Sequence, residues 1–258
     1  MVNLSRAGRA APAAWIWALL LVGAAAPSCG GDGGGSGGST NPTTINGSGI
    51  IIEEERPVEG ITGIAMFSVG SVYIEQGLTE RLVVSGEDNI LPHVTTEVVD
   101  GVLEIRPAGN VSLNTNHAPE FFVTVITLEE VRRSGVGGIV ATGLRVPSLA
   151  VSSSGFGRTA LYDLIADTLA VTSTGVGNIE ASGAVDTQEL FITGFGDYDG
   201  RDLQCATAEV ELASMGAVTV WVTDLLVVTI TGSGSVYYIG NPVIESTITG
   251  TGSVAPLN

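Results

Sequence analysis

Lysine is absent from the 258 residues: all ten basic residues are arginines, set against 27 acids for a formal net charge of −17. A nucleic-acid partner needs a basic face, and an anionic lipid surface attracts one, so both are excluded as partners for the body of the chain. Histidine is scarce, with only His93 and His117, and no nucleophile elbow accompanies them. Ser-His-Asp chemistry and a zinc shell therefore have too few groups to work with. Cysteine occurs twice, at Cys29 and Cys205, too few for a disulfide framework. Aromatic residues make up 5% of the chain, so the interior must be filled by Val, Ile, Leu and Ala. No stretch beyond the N-terminal leader carries the 3.6-residue period of an amphipathic helix.

The first 28 residues carry the marks of an export signal. Arg6 and Arg9 form a basic start, Ala11 to Ala26 is almost wholly apolar, and Ala26-Pro27-Ser28 ends in small residues before Cys29. That apolar span is short for a bilayer-crossing helix, which needs about 20 residues. The cut site resembles a bacterial lipobox, which implies lipidation of Cys29 and a membrane partner reached through that anchor. After Cys29, residues 29–48 run on as GGDGGGSGGSTNPTT, a flexible tether reaching roughly 20–25 Å. The expected address is the cell envelope, with the anchor in the outer membrane, and a folded domain spans residues 49–258. Without the leader's two arginines, 8 arginines face 27 acids, a net charge of −19. Cys205, the one cysteine remaining, reads as a small core residue.

Glycine is abundant, at 36 residues, and it is periodic. Paired glycines recur at Gly135 and Gly137, Gly155 and Gly157, Gly175 and Gly177, Gly194 and Gly196, Gly232 and Gly234, and Gly250 and Gly252. Gly216 stands alone in its repeat. Second glycines are spaced 20, 20, 19, 20, 18 and 18 residues apart. Four residues before each first glycine stand Val131, Val151, Val171, Leu190, Val210 and Val228, until Ser246 breaks the column. Four residues after it stand Ile139, Ile179, Tyr198, Val218, Val236 and Val254, with Thr159 the exception. Alternating, β-branched flanks are strand signals, and a fixed period near 20 signals a solenoid. The chain reads as all-β, a single-stranded parallel β-helix with one rung per repeat and glycines at the turns. Seven rungs at about 4.8 Å make a rod of roughly 34 Å. Residues 50–128 are less regular, and Val69-Gly70-Ser71-Val72 echoes Gly234-Ser235-Val236. That half is expected to supply the first, degenerate rungs and to cap the exposed end.

Gly175-Val176-Gly177-Asn178-Ile179 is one of the repeated glycine turns, and Glu55-Arg56-Pro57-Val58-Glu59-Gly60-Ile61 opens the first strands. Val72-Tyr73-Ile74-Glu75-Gln76-Gly77, Gly86-Glu87-Asp88-Asn89-Ile90-Leu91 and Gly101-Val102-Leu103-Glu104-Ile105 lie between. On these motifs the chain resembles the head GIN domain family of auto-transporter adhesins from about residue 50 to its end. The resemblance implies a right-handed β-helix on a secreted or lipid-anchored bacterial surface protein. No amphipathic membrane strands follow the last repeat, so a lipoprotein is expected rather than a self-secreting chain.

Four features could carry chemistry. Gly175-Val176-Gly177 lacks the third glycine and the following helix of a dinucleotide loop. Asp197, Asp199 and Asp202, with Arg201 among them, offer alternating hard oxygens for calcium, or carboxylates for glycan cleavage. Trp221, Tyr237 and Tyr238 fall on adjacent repeats and could form a platform for a sugar ring or a protein surface. Glu53-Glu54-Glu55 reads as a solvated edge. The expected protein is a non-catalytic surface scaffold or adhesion module without a cofactor, its ligand a surface glycan or protein. The alternative is a calcium-dependent glycan-binding or polysaccharide-cleaving protein centred on Asp197–Asp202.

Overall fold

The computed structural model describes residues 42–257, so the leader, Cys29 and the glycine-rich start of the tether lie outside the described residues. Within them there is no α-helix, only strands and one 3-10 turn at Leu91–His93. The chain forms a parallel β-helix of about six turns. Its regular centre consists of four long runs, Thr159–Ser173, Ile179–Ile192, Tyr198–Leu212 and Ala217–Ile230. Each run lies in parallel register on the next, across an irregularity where the coil turns from one face to the other.

The two apolar columns legible in the sequence are the two walls of the interior. Val131, Val151, Val171, Leu190, Val210 and Val228 are successive register partners and are all buried. On the other wall, Val72, Ile139, Thr159, Ile179, Tyr198, Val218, Val236 and Val254 stack in the same way. Thr159 breaks the second column for a reason that lies one rung earlier. Arg133 points into the interior, only 1% exposed. Its guanidinium donates to Thr159 Oγ1 at 3.3 Å and to Ser153 Oγ, while Nη1 has no protein partner. A hydroxyl at position 159 therefore solvates a buried cation that no carboxylate accompanies, and burial pulls the Arg133 pKa down. Tyr198 fills its place with a ring whose hydroxyl donates to Gln188 Oε1 at 2.8 Å, both side chains being buried. Cys205 is a free, buried thiol.

The turn glycines form ladders. A Cβ on Gly177 would fall on the carbonyl oxygen of Gly157, and the same holds from Gly137 over Gly70 to Gly252 over Gly234. Gly177 also has φ +149, which an L side chain rarely adopts. The loop quoted from residue 175 is thus a corner whose backbone touches the rung before it. Between the paired glycines, Val136, Phe156, Val176 and Phe195 stand exposed on the outside of the corner, with Met215 continuing the line.

The N-terminal half supplies the expected degenerate rungs and adds antiparallel strands to them. Val69–Gln76 does form a true rung, with Gly70 paired to Gly137 and Val72 to Ile139. Next to it Val102–Pro107 and Glu120–Val125 lie parallel to Gly63–Met66 and Val69–Gln76 as an irregular rung, and antiparallel strands flank them. Arg81–Glu87 lies between Ile51–Arg56 and Glu120–Val125, antiparallel to both. Val94–Val99 and Val102–Pro107 form a hairpin. Its turn residues Asp100 and Gly101 both have positive φ, 50° and 82°, as a two-residue I′ turn requires. The capping role expected of this half is played by these antiparallel strands. Thr43–Asn46, within the stretch expected to be a flexible tether, pairs in parallel with Val111–Asn114. TTIN is β-branched enough to join a strand once a partner edge is near.

Candidate binding face

Glu120–Val125 and Val69–Gln76 are neighbours in parallel register, which sets Phe122 directly opposite Tyr73. Alternation sends Val72, Ile74, Phe121 and Val123 inward, where all four are buried, and leaves Tyr73 and Phe122 outside. The two rings stack, with centroids 5.2 Å apart and planes 15° from parallel. They remain 36% and 43% exposed. Val83 opposes Phe122 on one side and Val140 opposes Tyr73 on the other. An apolar row therefore crosses four strands on the outer face.

Polar groups border this row. The Tyr73 hydroxyl donates to Glu120 Oε1 at 3.2 Å, and burial together with that carboxylate raises its pKa. On the other border the Thr124 hydroxyl donates to Glu75 Oε1 at 3.2 Å. Arg81 sits opposite Thr124 and pairs with Glu55 at 3.1 Å. The ring pair, Val83 and Val140, with Glu75, Arg81 and Thr124, line a groove of about 380 Å³. A flat aromatic strip edged by carboxylates already accepting hydroxyl hydrogens has the chemistry of a surface for a ring bearing hydroxyl groups.

The acids singled out in the sequence do not gather. Asp197 accepts the Ala217 backbone N–H at 2.8 Å, tying its own rung to the next. Asp199 is paired with Arg201 at 2.8 Å. Asp202 is exposed opposite Ser182. Among the described residues no three His, Cys, Asp or Glu side chains are placed to hold a metal ion. Asp199 does stand beside Glu180 across the rung boundary. Glu180 has its own arginine in Arg158, so the two acids are separately neutralised.

The late aromatics divide between inside and outside. Tyr238 lies opposite Val220 on the inner side and packs against the core. Tyr237 lies opposite Thr219 and Trp221 opposite Ile239, which puts both on the outer side, two positions apart along the strand. Among the described residues, the stacked ring pair is Tyr73 with Phe122, at the other end of the coil. That pair escaped sequence reading because its members are 49 residues apart in a half without a repeat. Each can be read as outward from the alternation in SVYIEQ and EFFVTV, but their register cannot.

The family model described as "Putative auto-transporter adhesin, head GIN domain" matches residues 61–242. Among solved structures, a "putative adhesin" from Bacteroides fragilis NCTC 9343 is 24% identical with a TM-score of 0.77. The match covers 83% of this chain and all of that one. A "putative lipid binding protein" from Parabacteroides distasonis ATCC 8503 is 25% identical with a TM-score of 0.66, over 84% of this chain and all of that one. A "putative adhesin" from Parabacteroides merdae ATCC 43184 is 20% identical with a TM-score of 0.64, over 84% and all of the respective chains. No curated protein matches the chain. With a repeat, a coil and a family model in agreement over 61–242, the chain belongs to the head GIN domain family of auto-transporter adhesins.

Proposed function

We propose that the protein is an exported, non-catalytic adhesion module, held at the cell envelope by a lipid on Cys29. Its ligand-contacting side is the Tyr73–Phe122 face. One observation carries the reading: on this face a stacked aromatic pair stays open to solvent beside hydroxyl-accepting carboxylates. Catalysis by paired carboxylates has no such support, because Asp197, Asp199 and Asp202 are spent on a backbone amide, an arginine and solvent. The anchor rests on the leader, the small residues before Cys29 and the glycine-rich stretch after it.

The ligand side is tested by binding of the purified protein to immobilised polysaccharides and to cells. Phe122→Ala and Tyr73→Ala should each weaken binding about tenfold, the loss of roughly 1.4 kcal/mol of aromatic contact. Asp199→Ala should leave binding unchanged with or without calcium. Equal binding by all three variants would remove the Tyr73–Phe122 face from the proposal. The anchor is tested by metabolic labelling with a clickable fatty acid. Label should enter the wild-type protein, and Cys29→Ala should abolish it.

A further inference from the structure

The two ends of the coil are finished differently. At the N-terminal end, antiparallel strands cover the last parallel strands, Val102–Pro107 and Glu120–Val125, and Ile90 and Leu91 close the interior. The outermost strands there are Val94–Val99 on one wall and Ile51–Arg56 on the other, which carries Glu53, Glu54 and Glu55. Charge on an edge strand keeps other strands from adding to it. At the C-terminal end, Val243–Ile248 pairs only with the Ala217–Ile230 run, and Ser253–Pro256 only with Ser235–Ile239, among the described residues. Every residue of Val243–Ile248 is exposed.

Three of those residues, Ile244, Ser246 and Ile248, face the lumen. Ile244 and Ile248 stack on Leu226 and Ile230, which are fully buried, yet are themselves 38% and 42% exposed. Val254 stacks in the same way on the buried Val236. Among the described residues no strand covers the apolar interior here, and a row of strand donors and acceptors has no strand beside it. This end is also nearly uncharged: Val243–Ile248 contains only Glu245, and Ser253–Pro256 contains no charge, on a chain of net charge −17. It is where two copies can approach with least repulsion.

We propose that a second copy of this chain covers this end, tail to tail about a two-fold axis, with Val243–Ile248 pairing antiparallel to itself. Facing residues on paired strands must share a side of the sheet, so lumen residues pair with lumen residues. The register centred on Ser246 meets this condition and sets Ile244 opposite the partner's Ile248, closing both lumens at once. Glu245 then lies opposite the partner's Thr247, whereas a register centred on Glu245 would oppose two acids. A head-to-tail stack along the same walls would instead set Val243–Ile248, with Glu245, on Val94–Val99, with Glu97, and Ser253–Pro256 on the acidic Ile51–Arg56. This inference does not depend on what the Tyr73–Phe122 face binds.

The test uses the exported chain carrying Cys29→Ser, so that no lipid contributes to association. Sedimentation equilibrium from about 1 to about 100 µM should give twice the chain mass at the upper end. The doubly substituted Ile244→Asp, Ile248→Asp chain should stay monomeric with an unchanged β-sheet circular dichroism spectrum. Thr247→Arg places a cation opposite the partner's Glu245 and should tighten the dimer about two- to fivefold. A wild-type chain that is monomeric throughout overturns the proposal, as does a dimer that survives the double substitution. Weaker association in Thr247→Arg overturns the register.

Discussion

Arg133 is the residue whose environment is least expected in an aliphatic core. Its guanidinium has two hydroxyl partners, an orphaned Nη1 and no acid. Removing a hydroxyl while leaving the charge should be worse than removing both. Thr159→Val is expected to lower stability by about 1–3 kcal/mol, since a buried donor loses its acceptor. Arg133→Met combined with Thr159→Val should recover that loss or exceed it, because a buried charge replaced by apolar volume is often neutral or stabilising. Urea unfolding of the three chains checks the order. Cys205 gives a second residue-level expectation. Burial pushes its pKa up to about 11, and its thiol donates to the Trp221 carbonyl oxygen at 3.4 Å. It should resist thiol reagents until the protein unfolds. In the unfolded chain the thiol ionises near its ordinary value of 9.0, while in the folded chain it stays protonated. Stability should therefore be intact below about pH 9 and fall as pH rises toward about 11. Cys205→Ala should flatten that decline, and the urea midpoint read across that window decides it.

At the scale of the element, the glycine ladders set which substitutions a rung tolerates. Gly177→Ala would drive a methyl group into the Gly157 carbonyl at a positive φ. A loss of at least about 2–4 kcal/mol, or failure to fold, is expected from combined overlap and strain. Gly138→Ala, one residue past the neighbouring corner, meets only ordinary contacts at 3.6 Å or beyond, and should cost no more than about 0.5 kcal/mol. Thermal melts of the two variants distinguish a backbone requirement from glycine's general flexibility. The same elements show why the repeats were legible and the cap was not. In a solenoid the partner of each residue lies one period along the chain, so spacing alone gives register: Val131 finds Val151, and Thr159 stands out as an exception. Antiparallel pairing has no such period. Val83 meets Phe122 in this way, and even the parallel pairing of Tyr73 with Phe122 falls outside the repeat period, so no spacing announces either contact. Asp100-Gly101 between two alternating runs was a readable hairpin signal, but which strand the hairpin then joins was not. The acid cluster Asp197–Asp202 misled for a related reason: nearness in sequence was no guide to where each carboxylate found its partner.

For the molecule as a whole, each rung contacts only its neighbours, so protection should vary along the coil rather than report one global value. In the Ile244→Asp, Ile248→Asp chain, hydrogen exchange is expected to be fastest over residues 243–256 and slowest over residues 159–230. In the wild-type chain at concentrations where it dimerises, residues 243–248 should gain protection. Uniform exchange from end to end would contradict this nearest-neighbour picture. The antiparallel cap at the other end closes the apolar interior with buried side chains and should exchange slowly despite its terminal position.

The ladder of bare α-carbons at the corners also bears on how such a chain can change over generations. A single replacement inside the ladder collides with the carbonyl above or below it. A segment of arbitrary length inserted there would throw every later wall residue out of its column. Gaining or losing one complete repeat of 18 to 20 residues does neither, because the new corner meets its neighbours as the old one did. The reach of the molecule is therefore heritable in steps of one rung, and relatives of this chain are expected to differ in length by whole turns of the coil.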